Sequence, residues 1–165
     1  MYLDEFFSYK NQFMEDIVTN DTIVQLIAPG TETENAGSLI YTQIFPYENI
    51  PETIEYAATF VCTDVDIVRS PGSTTYDLKM YVWVFSHESL MRLPEGGVRV
   101  DRLCHEIAKA LDGSHYYGLG SLELVSARRF APLSEYLGKV LVFEASDWHR
   151  PSPTGKPWPS NRKAG

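Results

Sequence analysis

Near the start of the chain, apolar residues recur at intervals of three and four, the spacing of one face of an α-helix. Acidic and amide side chains occupy the other positions, so the pattern predicts an amphipathic helix over residues 3–18. Asn20 or Asp21 can cap a second, short helix through Ala28, which a Pro-Gly pair then ends. The apolar positions of the first helix are Leu3, Phe6, Phe7, Phe13, Met14, Ile17 and Val18.

The period of the pattern changes to two from Thr59 onward, which is typical of β-strands. Residues 59–68 and 76–85 alternate in this way on either side of the turn-like sequence RSPGST, and they predict a long antiparallel hairpin. A shorter strand is predicted over residues 38–45, after a polar loop, and a long connection over residues 46–57 follows it. In the first hairpin strand one face holds Val61, Thr63, Val65 and Ile67 and the other Phe60, Cys62, Asp64, Asp66 and Val68; in the second, one face holds Tyr76, Leu78, Met80, Val82 and Val84 and the other Asp77, Lys79, Tyr81, Trp83 and Phe85.

The sequence PEGG, residues 94–97, interrupts the chain before a third predicted helix over residues 98–111. Its apolar residues form an almost unbroken stripe, and Gly113 is well placed to end it. Residues 118–130 and 136–145 predict two more strands, a second antiparallel pair. The predicted fold is therefore α+β: an antiparallel or mixed sheet with a long hairpin, packed against an N-terminal helix and a central helix. The stripe consists of Val100, Leu103, Cys104, Ile107, Ala108 and Leu111.

The length of 165 residues suits one domain with a single core. We expect residues 1–148 to form that domain. Residues 149–165 hold four prolines and several cations, and they predict a Pro-rich arm that builds no core. No apolar run approaches the roughly 20 residues that span a membrane, and the first residues are acidic where a signal peptide is basic. We therefore expect a protein that is made and folds in a cytoplasm.

The formal net charge of −8 narrows the functional classes. It argues against a protein that wraps nucleic acid, because such binding depends on cations that neutralise phosphates. An acidic surface would nevertheless suit a conduit through which DNA slides without sticking. Cys62 and Cys104 lack the CxxC spacing of a zinc site, and buried free thiols are expected for both.

Residues 86–111, SHESLMRLPEGGVRVDRLCHEIAKAL, contain the residue types of nucleophilic and metal sites. On a helix, however, Cys104 falls in the apolar stripe and His105 lies about 100° further around, so the two are badly placed to share a metal. His105 is expected to pair with its charged neighbours one turn away, Asp101 and Lys109, and Arg102 with Glu106, as ordinary surface pairs. No G-x-S-x-G elbow surrounds Ser86, so Ser86-His87-Glu88 is interpreted as a polar turn.

Asp64 and Asp66 are the other chemical candidates, because they point to one side of a strand and could bind a cation such as magnesium. Neither a histidine nor a third carboxylate accompanies them at a defined spacing, so an acidic patch on an assembly is the favoured interpretation. His115 and His149 are isolated. We therefore expect no catalytic residues, no metal and no cofactor.

The order of these elements resembles that of the tail terminator, or tail-completion, proteins in the neck of long-tailed bacteriophages. The resemblance covers roughly residues 3–145. It rests on the N-terminal helix, NDTIVQLIAP, the strand and loop with IFPYENIPET, the long hairpin, the helix RVDRLCHEIAKALDG and the closing strands. It implies a structural virion protein that forms a homo-oligomeric ring, usually a hexamer, at the head-proximal end of the tail tube.

Such a ring ends polymerisation of the tail tube protein and offers a second face to the head-completion (stopper) protein. It lets genomic DNA pass without specific binding, is assembled in the host cytoplasm and needs no membrane. Within this frame, Asp64 and Asp66 are predicted to line an acidic channel or assembly face. The predicted subunit interface consists of Tyr81, Trp83 and Phe85 on the sheet and of Trp148 and Trp158 in the C-terminal tail. This tail, residues 148–165, would reach an adjacent subunit or ring.

Two other functions remain open at this level. A head-completion (stopper or connector) protein would use a similar acidic ring, although stoppers tend towards β-barrels and three helical segments argue against one. A metal-dependent enzyme would need Asp64, Asp66 and one histidine to converge.

Overall fold

Three α-helices form where the apolar period is helical. The computed structural model describes residues 4–50, 56–69, 71–72, 76–114 and 121–147 of the chain. The helices are α1 (Asp4–Val18), α2 (Asp21–Ile27) and α3 (Arg99–Leu111), as predicted. The side chain of Asn20 accepts a hydrogen bond from the backbone N–H of Ile23 (3.2 Å), which confirms Asn20 as the cap of α2. Among the described residues, no helix is both long enough and apolar enough to cross a membrane.

In the described part of the chain, the sheet has five strands in the order β1-β2-β3-β5-β4. The long hairpin and the closing hairpin are both present, joined through β3 and β5, and every strand pair is antiparallel except β1 with β2. The α+β class with a mixed sheet is thus confirmed. The strands are β1 (Ile44–Phe45), β2 (Thr59–Arg69), β3 (Tyr76–His87), β4 (Glu123–Leu133) and β5 (Tyr136–Asp147).

The prediction for residues 30–45 is wrong in part. A 3-10 helix, Thr33–Leu39, replaces most of the predicted polar loop, and only Ile44–Phe45 of the predicted strand belongs to the sheet. Tyr41 adopts a φ of 64°, a left-handed conformation that a non-glycine residue seldom takes, and this bends the chain out of an extended path. Its backbone N–H donates to the carbonyl of Ile44 (2.8 Å), which closes the bend.

The main core lies between the helices and one face of the sheet. The inward stripe of α3 packs there as predicted, and so do the buried residues of α1 and α2. The face of the hairpin strands that meets the helices consists of Val61, Thr63, Val65 and Ile67 in β2 and Leu78, Met80, Val82 and Val84 in β3, of which all but Ile67 are buried.

A second apolar cluster closes one end of the other sheet face. It consists of Phe45, Ala58, Phe60, Cys62, Phe85 and Tyr136. Gly138, which pairs with Phe85, makes room for this cluster, because a Cβ on it would lie only 1.9 Å from the carbonyl oxygen of Val84. The cluster covers only part of this face, and the remainder is where the candidate site lies.

Candidate assembly surface

The described helices all pack on one face of the sheet, and the other face remains partly uncovered beyond the second apolar cluster. Alternation along the strands and the register between them identify the residues that share this uncovered region. We call it the open face; it is formed by Asp64 and Asp66 of β2, Asp77, Lys79, Tyr81 and Trp83 of β3, Glu123, Ser126 and Arg128 of β4, and Val140, Val142 and Glu144 of β5.

The centre of the open face is aromatic and aliphatic. Tyr81 and Trp83 stack along β3 with ring centroids 5.7 Å apart and planes 19° from parallel. Val142 pairs with Tyr81 and Val140 with Trp83, so two valines flank the aromatic pair on the neighbouring strand. All four side chains are only half-buried, whereas Val82 and Leu141 on the opposite face of the same strands are buried.

Phe85, the third aromatic residue predicted at a subunit interface, occupies a different environment. It is fully buried, stacks with Phe60 at 5.3 Å and meets Phe130 and Tyr136 edge-on. Phe85 therefore stabilises the chain's own second cluster, and only Tyr81 and Trp83 offer their rings to a partner. Trp148 and Trp158, the other two predicted interface residues, lie outside the described residues, as do His115, His149 and the predicted arm.

Asp64 and Asp66 lie on the open face, as the alternation predicted. Asp64 forms an ion pair with Lys10 of α1 (2.8 Å) and accepts a hydrogen bond from the N–H of Val65 (2.8 Å), so its carboxylate stabilises the edge of the sheet. Asp66 is exposed. Burial, followed by the nearby Asp66 carboxylate, raises the pKa of the Tyr81 hydroxyl. Across the described part of the chain, no three His, Cys, Asp or Glu side chains are grouped closely enough to bind a metal.

One end of the open face is acidic. We call this the acidic end, formed by Asp66, Asp77, Glu123 and Glu144. Glu123 and Glu144 are direct cross-strand partners, an arrangement in which like charges destabilise a sheet. Lys79 lies across from both Asp66 and Glu144 and pairs with Glu144 at 3.4 Å. A further cation could therefore offset the repulsion between Glu123 and Glu144.

The sequence pattern predicted Tyr81 and Trp83 as interface residues but did not predict Val140, Val142 or the β4 residues that complete the open face. A signal for the valines was available, because residues 140–143 read Val-Leu-Val-Phe without alternation. Such a run is typical of a strand with apolar residues on both faces. The contribution of β4 depends on its register with β5, which shifts between Leu124 and Ser126 and which no local pattern specifies.

The residues of the SHESLMRLPEGGVRVDRLCHEIAKAL stretch do not converge on a reaction centre. The interpretation of Ser86 as part of a polar turn is wrong, because Ser86 is a buried residue of β3 whose hydroxyl lies 2.8 Å from that of Thr59. His87 ends β3, where its ring contacts the hydroxyl of Ser89 (2.7 Å) and the carboxylate of Glu135 (3.4 Å).

The pairing predicted for the charged side of α3 is correct in part. Arg102 pairs with Glu106 (3.4 Å), as predicted. Lys109 also pairs with Glu106 (3.2 Å) rather than with His105, and these cations lower the pKa of Glu106, the Lys109 hydrogen bond most of all. Asp101 reaches Lys139 of β5 (2.6 Å), an ion pair that raises the pKa of Lys139 and joins α3 to the sheet.

His105 is exposed and, with Asp101 and Arg102, lines an open depression of about 480 Å³ in front of α3. Cys104 lies 7% exposed in the apolar stripe, and burial raises the pKa of its thiol to about 12. Burial likewise raises the pKa of Cys62 to about 11. Both cysteines are free, as expected, and protonated at neutral pH, so neither is an activated nucleophile.

The comparison with known protein families identifies one family. The model of the family named YomW matches residues 16–145, which run from the end of α1 to the last part of β5 and include the whole described open face. No curated protein matches the chain.

Proposed function

This chain belongs to the YomW family, whose phage-derived name suggests a phage protein, and we propose that it is a structural virion protein, the tail terminator. In this role it forms a ring, of six subunits as in the proteins it resembles, at the head-proximal end of the tail tube. The ring ends polymerisation of the tube protein and binds the head-completion protein on its other side. The chain carries out no reaction and needs no cofactor.

The observation that carries the proposal is the open face of the sheet. An apolar, aromatic centre with charged residues around it is the usual anatomy of a subunit interface. Tyr81 and Trp83 belong to the residue types that most often anchor such interfaces. A metal-dependent reaction centre, by contrast, would need converging ligands, and among the described residues no three His, Cys, Asp or Glu side chains are grouped closely enough to bind a metal.

The order of the elements supports the terminator over the stopper. Helices α1 and α2, a short strand, a long hairpin, α3 and a closing hairpin follow one another in the order on which the resemblance rests. Across the described residues the sheet is open, with β1 and β4 at its edges, and is not closed into a barrel. The net charge of −8 is compatible with a lumen through which DNA passes without binding.

The proposal is tested by native mass spectrometry of the purified chain and by electron microscopy of tubes formed from tail tube protein. We expect a defined ring, alone or only on tube ends, and tubes that stop growing when the chain is added. Tyr81→Glu should abolish both. Tyr41→Glu should abolish neither, because Tyr41 is equally large and more exposed but lies in the bend before β1.

A strict monomer that leaves tube length unchanged would contradict the proposal. A ring that binds heads but never tubes would favour the head-completion protein instead. A tightly bound metal ion that Asp66→Asn removes would favour the enzyme.

A further inference from the structure

We propose that residues 148–165 of one copy bind to the open face of the neighbouring copy. This inference deepens the proposed function, on which it rests because it requires a ring of identical subunits. It names what covers the open face, namely the C-terminal segment of the same protein.

The composition of the C-terminal segment, residues 148–165, complements the open face. The segment carries four of the fourteen Lys and Arg residues of the chain and none of its 22 Asp and Glu residues. The acidic end of the open face places Glu123 directly opposite Glu144, and Lys79 pairs with Glu144 from the other side. A cation from the segment at this point would relieve the repulsion between the two glutamates.

The apolar part of the segment fits the centre of the open face. Two tryptophans and four prolines lie within it, including the sequence KPWP at residues 156–159. Proline-rich chains favour the extended polyproline helix, so they lose little conformational entropy when they bind. Surfaces lined by aromatic side chains bind such chains. The stacked pair of Tyr81 and Trp83, with a valine beside each ring, is a surface of this kind.

The direction in which β5 ends favours binding of the C-terminal segment to the open face of a neighbouring copy over binding to the open face of its own chain. Strand β5 ends at Asp147, which pairs with Tyr76 at the acidic end of the sheet, and Val142 lies five residues back. At about 3.4 Å per residue the aromatic centre is thus about 17 Å behind the point where the chain leaves the sheet. No glycine, asparagine or proline, the usual turn residues, lies between Asp147 and Pro151 to reverse the chain at once.

The length of the segment is sufficient for an exchange between subunits. Its 18 residues, at about 3.1 Å each in the polyproline conformation, reach about 56 Å. The open face and the segment are also different surfaces of one chain. Their contact can therefore repeat head to tail from copy to copy, and it closes a ring where the rotation between neighbours closes.

Disulfide trapping between two full-length variants tests the inference. Ser126→Cys places a thiol on the open face, opposite Val142, with almost no change in size, and Thr154→Cys places one in the segment. The native thiols of Cys62 and Cys104 do not compete, because burial keeps them protonated. When the two single variants are mixed and oxidised, we expect a peptide containing residue 126 linked to one containing residue 154, identified by mass spectrometry.

The matched control replaces Ser126→Cys by Ala110→Cys, an exposed site on α3 on the opposite side of the sheet. This pair should cross-link at least tenfold less. Equal cross-linking of both pairs would overturn the inference. So would a cross-link that forms only within the double variant Ser126→Cys with Thr154→Cys, because that result places the segment on its own chain.

The charge part of the inference has a separate test. Arg162→Glu with Lys163→Glu should weaken the cross-link, and Glu123→Lys in the chain that supplies the open face should restore it. Failure of the double variant to weaken the cross-link would overturn the electrostatic pairing. The proposed function is assessed independently with the unmodified chain: a cross-link without any effect on tubes refutes the terminator alone, whereas stopped tubes without a cross-link refute this inference alone.

Discussion

A single arginine joins three parts of the helical layer. Arg99, the first residue of α3, is 8% exposed and donates hydrogen bonds to the carbonyls of Leu26 (2.8 Å) and Leu90 (2.7 Å). Leu26 lies in the last turn of α2, where unpaired carbonyls concentrate negative partial charge and favour a cation. The positive charge of Arg99 is therefore compensated by backbone dipoles.

Replacement of Arg99 by alanine should lower the free energy of unfolding by about 2–4 kcal/mol, because it removes the donor from one buried carbonyl, that of Leu26, and from one partly buried carbonyl, that of Leu90. Urea denaturation measures this change. Arg102→Ala serves as the control: Arg102 is exposed and its ion pair with Glu106 contributes a few tenths of a kcal/mol. Similar losses in the two variants would show that Arg99 acts by charge alone and not through its buried hydrogen bonds.

The two buried thiols predict a pH dependence with a defined sign. Both have a folded-state pKa, about 11 for Cys62 and about 12 for Cys104, above the ordinary value of 9.0. The folded state therefore keeps these protons when the unfolded chain loses them. The stability that the thiols contribute is complete below pH 9 and is lost as the pH rises towards 11 and 12.

This prediction is checked by urea denaturation of the wild type and of Cys104→Ala between pH 8 and pH 10. The free energy of unfolding should fall less steeply in the variant, by up to about 1.4 kcal/mol per pH unit above pH 9. At pH 8 both thiols of the folded wild type should also react slowly with a disulfide reagent and quickly in urea. Fast reaction of the folded protein would contradict their burial.

At the scale of elements, the closing hairpin depends on one glycine. Gly138 of β5 lies between Phe85 and Phe130 on neighbouring strands, at a point where β3 passes too close for any side chain. Overpacking of a core by one methyl group typically costs about 1–3 kcal/mol, and contact with backbone leaves little room for adjustment.

We therefore expect Gly138→Ala to lower the midpoint of thermal unfolding by several degrees or to prevent folding. For a domain of this size about 1 kcal/mol corresponds to roughly 2–4 °C. Gly37→Ala is the control, because no atom lies within 4 Å of a Cβ there and its φ is not positive. An equal midpoint for both variants would mean that β3 and β5 lie further apart at Gly138 than the structure shows.

The elements differ in how far the sequence determines them. The stripe of α3 and the alternation of β2 and β3 repeat within a few residues, so periodicity alone predicts them. The short strand β1 depends instead on parallel pairing with β2, seventeen residues later in the chain, and on the bend at Tyr41. The bond from Arg99 to Leu26 spans 73 residues, and the burial of Phe85 needs Gly138 beside it. Such contacts carry no local signal.

At the scale of the molecule, charge and apolar surface are unevenly distributed. Carboxylates concentrate on the described domain and at one end of its open face, whereas the last 18 residues carry only cations. The helices protect one face of the sheet and the second apolar cluster protects part of the other. Half-exposed aromatic rings therefore lie between the acidic end and the second apolar cluster, which suits a contact that is both apolar and dependent on salt.

Removal of residues 148–165 should separate folding from assembly. The described core lies within residues 4–147, so the shortened chain should still unfold cooperatively in urea. Under the proposed function it should, however, remain a monomer by native mass spectrometry at concentrations where we expect the full chain to form rings. Particles made with it should accumulate as free heads and unjoined tails. Normal joining would exclude the segment as an arm between subunits.

The salt dependence of the ring tests, on the full chain, whether cations of the C-terminal segment meet the acidic end. Raising the ionic strength from about 0.1 M to 1 M shortens the screening length from about 10 Å to about 3 Å, and it should weaken the ring if cations of the segment meet the acidic end. Glu123→Lys should weaken the ring at low salt and remove most of its salt dependence. A ring that is equally stable at both salt concentrations would assign the contact to the aromatic centre alone, since burial of apolar surface is not screened by salt.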